Sequence, residues 1–298
     1  MKRLALVLLI ALAAAVAAGC RLPRWRGASA ADVASARGLT SQGLRAFQAG
    51  RLEDAEKAFR AALKKCPLDP QSHERFGDFL KFQGRSQEAL AEYLAASRLA
   101  VDDPHVRLKA AEVAIELNNL PVAQTLVAEA IELQPNLPKA WVVRGRLLAR
   151  RGEYRTALAA YSRALALAPD DQEARVEMAR IHRCLGEPHK ALVVLQALSS
   201  SFLPGETPAP ILFELAQAYA EMGRIPEASE AALAAKRADP GNPVYDQFLA
   251  QLPTRMFEAQ VAAKSLPRAF PQVSPADSVQ QATFLQGNPA DSSGAYLR

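Results

Sequence analysis

The chain has 298 residues, half of them hydrophobic and only 6% aromatic, with 36 Lys and Arg set against 31 Asp and Glu for a formal charge of +5. The basic residues are interspersed with acidic ones and form no long run, which argues against a nucleic-acid footprint in spite of a pI near 9.2. Much of the apolar content is alanine, which carries no side-chain entropy cost in a helix, so the composition favours an all-α fold. Three cysteines do not make an even disulfide framework, and Cys66 and Cys184 are expected to be buried small residues with no bridge between them.

At the N-terminus, Met1-Lys2-Arg3 is a basic start and Leu4 to Ala18 an uncharged apolar run. As a helix that run reaches about 22 Å at ~1.5 Å per residue, short of the roughly 30 Å hydrocarbon core of a bilayer. A secretory signal fits better than a permanent span. The segment ends in Ala17-Ala18-Gly19-Cys20, which resembles a bacterial lipoprotein box, although Ala17 stands where that family prefers Leu. The resemblance implies removal of residues 1–19 and acylation of Cys20 with diacylglycerol and palmitate-type chains. Two or three such chains hold a protein stably on a membrane. In that family Asp after the cysteine retains the protein at the inner membrane, so Arg21 implies an outer-membrane location, facing the periplasm of the cell envelope. A plain signal peptide cut after a small residue is the alternative. Residues 20–35 read as a linker whose Arg21, Arg24 and Arg26 suit anionic headgroups.

From residue 36 a period of 34 takes over. Ala55, Phe59 and Ala62 recur as Ala89, Tyr93 and Ala96, then as Ala123, Val127 and Ala130, then as Ala157, Tyr161 and Ala164. A small residue keeps the same period at Gly43, Gly77, Ala111 and Gly145. Pro70, Pro104 and Pro138 open first helices, where a missing N–H costs nothing, while Pro67, Pro135 and Pro169 stop second helices. The stretch from Trp141 to Pro169 is the clearest unit: Trp141, Gly145 and Leu148 share one helical stripe, Ala157, Tyr161 and Ala164 another, and Arg151-Gly152-Glu153 turns between them. These residues stand where a tetratricopeptide repeat puts its packing residues, so the chain resembles that family of 34-residue helix-turn-helix units.

The resemblance implies a right-handed superhelical solenoid of about six units, at 36–69, 70–103, 104–137, 138–171, 172–205 and 209–242, closed by a capping helix at 243–252. The fifth unit carries Leu198 at an alanine position and leaves by a longer loop through Pro204-Gly205. The sixth has Ala232 in place of the large residue, which predicts thinner packing. Residues 253–298 hold five prolines and no lasting period and read as a disordered tail with one short helix near Met256 to Lys264.

No phosphate loop, dinucleotide fingerprint, H-E-x-x-H or nucleophile elbow is present, so the chain is read as a non-enzyme with no cofactor and no metal. His73-Glu74 lacks a second histidine at Gly77, and Gly186-Glu187-Pro188 separates His182 and Cys184 from His189, so no zinc site is expected. The resemblance instead implies a concave groove lined by the first helices at the second, fifth, ninth and twelfth positions. These are Gln71, Glu74, Asp78 and Lys81; His105, Leu108, Glu112 and Ile115; Lys139, Val142, Arg146 and Ala149; and Glu173, Val176, Arg180 and Arg183. The first two sets lean acidic or apolar and the last two basic, which suggests a bipolar groove for an extended peptide or helix of a protein partner; the alternative is a merely solvated helix face. The expected function is a membrane-anchored adaptor of the bacterial envelope, with assembly of a pilus secretin as a narrower form. The alternatives are a recruiter of cell-wall enzymes and an unprocessed intracellular scaffold.

Overall fold

The computed structural model describes residues 29–252; the segment read as a signal, Cys20 and the residues beyond 252 read as a tail with one short helix lie outside them. The described residues form helices joined by short turns, with no strand among them. The pairs are α1 Ala30–Gln48 with α2 Leu52–Lys65, α3 Pro70–Phe82 with α4 Ser86–Leu99, and α5 Pro104–Glu116 with α6 Leu120–Leu133. They continue as α7 Pro138–Arg150 with α8 Tyr154–Leu167, α9 Gln172–Cys184 with α10 Pro188–Ser199, and α11 Ala209–Glu221 with α12 Ile225–Ala238. Residues 243–252 form a last helix, α13.

The first helix starts earlier than expected. Residues 30–35, read as linker, are its first turns because the Ser29 hydroxyl accepts from the Asp32 amide at 3.1 Å and caps them, and Val33 and Ala36 pack with Ala62 and Cys66. Elsewhere Asp69, Asp103 and Asp171 cap α3, α5 and α9 through side-chain bonds to backbone amides.

Between paired helices the chain turns on one left-handed residue: Gly50, Gly84, Gly152, Gly186 and Gly223 have φ of +72° to +76°, and Asn118 takes the third place at +57°. Asn adopts this conformation more readily than other residues with a Cβ, so the third unit keeps its turn without glycine.

Each unit buries a small residue of its first helix against a larger one of its second. Gly43, Gly77 and Gly145 lie against the rings of Phe59, Tyr93 and Tyr161, where an added Cβ would come within 3.0, 2.9 and 2.5 Å of a ring carbon. Where the second-helix residue is aliphatic, the small residue is alanine: Ala111 with Val127, Ala179 with Leu195, and Ala216 with Ala232, all buried and sharing a core. The volume lost on one helix returns on the other, and packing density is conserved. The sixth unit is not thin at Ala232, because Phe248 and Leu252 of α13 enter the same core. Tyr245 and Phe248 also meet Phe213 edge-on, at 5.1 and 5.2 Å between ring centres. In the fifth unit Leu198 is buried beside Leu192 and Leu195.

Trp141 is not the deep core residue that its spacing suggests. It is half-buried, with its indole N–H donating to the Pro135 carbonyl at 2.8 Å and the guanidinium groups of Arg144 and Arg163 over its ring. The same position does the same work one period on, where Arg175 donates to the Pro169 carbonyl at 2.7 Å, and two periods back, where His73 Nε2 lies 3.0 Å from that of Pro67. In the third unit Arg107 reaches the carbonyls of Ala100 and Asp103. A long donor at this position therefore ties four of the five inter-repeat loops to the next first helix, satisfying carbonyls that a helix end leaves open, while the sixth unit has Leu212 there. Of the cysteines, Cys66 is buried as expected, but Cys184 is exposed and both are free.

His73 also carries a titration. Its Nδ1 lies 2.6 Å from a Glu92 carboxylate oxygen, so both ring nitrogens face acceptors and the doubly protonated ring satisfies both. Burial opposes the charge, but Glu92 and the Pro67 carbonyl outweigh it and hold the pKa above the usual histidine value. A raised folded-state pKa gives stability that is fully present below the unfolded value of about 6.5 and is lost as pH rises through the folded value. The denaturation midpoint of wild type minus that of His73→Leu should fall between acidic and mildly alkaline pH; a difference independent of pH would show that folding leaves the pKa of the ring unchanged.

Candidate functional site: the face of the first helices

First helices of neighbouring units touch one another as well as the intervening second helix, whereas successive second helices make no comparable contact. The first helices are therefore the inner, concave side of the stack. No helix among the described residues is long and apolar enough to cross a membrane, and no group of three potential metal ligands is gathered there. His182 Nδ1 lies 2.9 Å from Glu187, and neither Cys184 nor His189 joins them.

The predicted groove residues meet partners from the next unit. Lys109 of α5 donates to Glu74 and Asp78 of α3 at 2.7 and 2.8 Å, and Lys81 pairs with Glu116 at 3.0 Å. Lys139 of α7 lies 2.9 Å from Glu112 of α5 and 3.1 Å from Glu173 of α9. Arg146 joins the same two carboxylates and reaches Glu177 at 3.5 Å. On α9, Arg180 bonds Glu214 of α11 at 2.6 Å and Glu177 at 3.1 Å, while Arg183 bonds Glu214 at 2.6 Å and Glu221 at 2.7 Å. Burial opposes the charge on Lys109, Lys139 and Arg180, but their carboxylate partners outweigh it and raise all three pKa values.

This ladder corrects the expectation of an acidic half and a basic half. Lys139 and Arg146 of α7 and Arg180 and Arg183 of α9 are each met by a carboxylate of α5, α9 or α11, so the face alternates in sign along its length. Two further positions differ: Leu108 and Val142, expected to face a ligand, are buried between helices. Lys109, Glu177 and Glu214 stand at the sixth position, which the four family positions omit. Opposite charges exactly one period apart would have revealed the rungs, as with Lys139 and Glu173 or Arg180 and Glu214. At the N-terminal end, the Phe82 ring, 69% exposed, rests edge-on against Phe47 at 4.8 Å, an apolar addition to the face that the charge pattern did not suggest.

The tyrosines on the second helices complete the site. The Tyr93 hydroxyl donates to Asp78 at 2.8 Å. Tyr161, two periods on, is fully buried and its hydroxyl has no hydrogen-bond partner. The difference lies in the opposing first helix, where Arg146 occupies the position of Asp78 and offers only donors. Tyr161 lines an open cavity of about 340 Å³ together with Ile115, Tyr154, Ile181, Arg146 and Arg180.

Fold and face together define a helical-repeat scaffold of the kind that binds proteins or peptides in a concave groove. The chain carries tetratricopeptide repeats: family models described by that name match residues 40–104 and 176–243, and 138–181. The unmatched stretch between them is the third unit, whose turn residue is Asn118 and whose core ring is replaced by Val127. Among curated proteins, the U-box domain-containing protein 70 of Oryza sativa subsp. japonica is 29% identical over 139 residues, which are 45% of this chain and 17% of the relative. The protein O-mannosyl-transferase Tmtc1 of Drosophila melanogaster is 47% identical over 47 residues, 16% of this chain and 6% of the relative. The chain thus spans less than a fifth of either curated relative. Among solved structures, PilW, described as a widely conserved type IV pilus biogenesis factor, superposes with a TM-score of 0.61 at 17% identity over 73% of this chain and 98% of its own. The pilF protein of Pseudomonas aeruginosa gives 0.57 at 19% identity over 74% and 99%. Cut9 and Hcn1 of the APC/C, solved as a hetero-tetramer, give 0.60 at 16% identity over 73% of this chain and 42% of the matched chain. At these identities the likeness is one of fold.

Proposed function

We infer that the protein is a lipid-anchored adaptor of a bacterial envelope that holds a protein segment along the inner face of its repeats and has no catalytic role of its own. The observation that carries this reading is the continuous face of first helices, open along its length and furnished with charged rungs from α3 to α11. The anchor rests on Met1 to Cys20, where a basic start, an apolar run too short to span and small residues before a cysteine coincide. Arg21 favours the outer membrane. Assistance to a pilus secretin is the narrower form, supported by two full-length fold matches to pilus proteins.

Metabolic labelling with radioactive palmitate tests the anchor. Wild type expressed in a bacterium with an outer membrane should take up label and sediment with membranes, while Cys20→Ala should do neither. Equal labelling of both, or label in neither, contradicts the anchor.

A further inference from the structure

We propose that the cavity around Tyr161 is a subsite for an acidic side chain of the bound segment, a carboxylate carried next to an apolar residue. The proposal deepens the adaptor reading and rests on it.

Three independent features converge here. The first is the Tyr161 hydroxyl, fully buried and unpaired, whereas its counterpart Tyr93 is satisfied by Asp78. A buried hydroxyl without an acceptor is costly, and native structures rarely leave one without a reason. The exchange of Asp78 for Arg146 removes the acceptor that receives the phenol proton at Tyr93, because a guanidinium has no lone pair to offer, so an incoming acceptor would restore the missing bond. Burial and the nearby Glu177 push the phenol pKa up, so the group remains a donor at any physiological pH.

The second feature is charge. Arg146, Arg150 and Arg180 line the cavity against the single carboxylate of Glu177. Arg146 and Arg180 are engaged in the ladder, but Arg150, exposed at the end of α7, has no ion pair among the described residues. A carboxylate entering from the concave side would accept from Arg150 and, once the side chains covering the hydroxyl shift aside, from Tyr161, extending the alternation of sign that the rest of the face already shows.

The third is shape. Ile115, Tyr154 and Ile181 give the remaining wall an apolar character, and about 340 Å³ falls in the range of roughly 300–1,000 Å³ typical of ligand pockets. A pocket that is apolar with a few convergent donors selects a carboxylate flanked by a hydrophobic side chain. It disfavours lysine, which would face three guanidinium groups.

The test is an array of end-capped hexapeptides carrying Glu, Gln or Lys at the third position among apolar and small residues, probed with the purified repeat protein, with the best Glu peptide then measured by fluorescence anisotropy. Glu peptides should bind at least tenfold more tightly than their Gln counterparts, and Lys peptides not at all. Tyr161→Phe, which removes only the unpaired hydroxyl and keeps the packed ring, and Arg150→Ala, on an exposed site, should each erase most of the Glu preference. Equal binding of Glu and Gln peptides, a preference unchanged in Tyr161→Phe, or no binding by any peptide overturns the proposal. A parallel capture of the cellular partner by crosslinking from His105 separates the two readings. Capture that persists with the subsite disproved leaves the adaptor standing, and loss of capture in wild type removes both.

Discussion

Gly145→Ala should lower the stability of the array by about 3 kcal/mol, at the upper end of what overpacking one methyl into a core costs. The added Cβ would stand 2.5 Å from Cε1 and 2.6 Å from Cζ of Tyr161, a ring that is fully buried between the helices. Gly43→Ala should cost less, about 1 kcal/mol, because its nearest ring carbon is 3.0 Å away. The decisive companion is Gly145→Ala with Tyr161→Leu, which recreates the Ala179 and Leu195 pair of the fifth unit and should recover most of the loss. Urea denaturation followed by circular dichroism measures all three. A neutral Gly145→Ala, or a double variant no better than the sum of its parts, would show that the paired volumes are coincidental.

The second large effect concerns Glu214. Its side chain is 6% exposed, with one oxygen on Arg180 and the other on Arg183. Replacing both arginines by alanine leaves a buried carboxylate without a cation, which is expected to cost about 3–5 kcal/mol. Arg180→Ala alone should cost less, since Arg183 still neutralises the group, and adding Glu214→Gln to the double variant should restore most of the stability. This matters for function as well as stability. Reversing Arg146, Arg180 and Arg183 to Glu, the direct way to probe a basic groove, would set them against Glu112, Glu173, Glu177, Glu214 and Glu221 and unfold the face along with any binding. A double alanine variant as stable as wild type would mean that the ladder is ornamental and that such reversals are clean probes after all.

Much of the fold is legible as a period because packing repeats wherever the backbone repeats. Alanines 34 residues apart, a small residue ahead of each and prolines at helix starts all answer to the same close approach of two helices. What the period could not reveal was compensation across it. Ala232 looks like a deficit until Phe248 and Leu252 of the last helix fill its core, and Trp141 looks like a core anchor until its indole is seen bonding the Pro135 carbonyl. The face was harder to read for a related reason. Taken one helix at a time, Lys139 and Arg146 make α7 basic and Glu74 and Asp78 make α3 acidic. Charge on a solenoid is settled between neighbouring units, and Lys109, Glu177 and Glu214 do the settling from a sixth position that lies outside the family's ligand set. The vacancy at Tyr161 follows from one such exchange, Asp78 for Arg146, visible in the sequence once the two tyrosines are aligned.

Photo-crosslinking from opposite sides of the array tests the central claim that the inner face holds a protein segment. A photoreactive amino acid placed at His105 or Arg150, on first helices, should yield one and the same discrete adduct in cells. The same group at Arg98 or Ser162, exposed on second helices, should yield none, and excess of the best Glu peptide should suppress the adduct from His105, where the subsite is intact. Adducts of equal yield from both sides, or adducts from second-helix positions alone, would contradict the account.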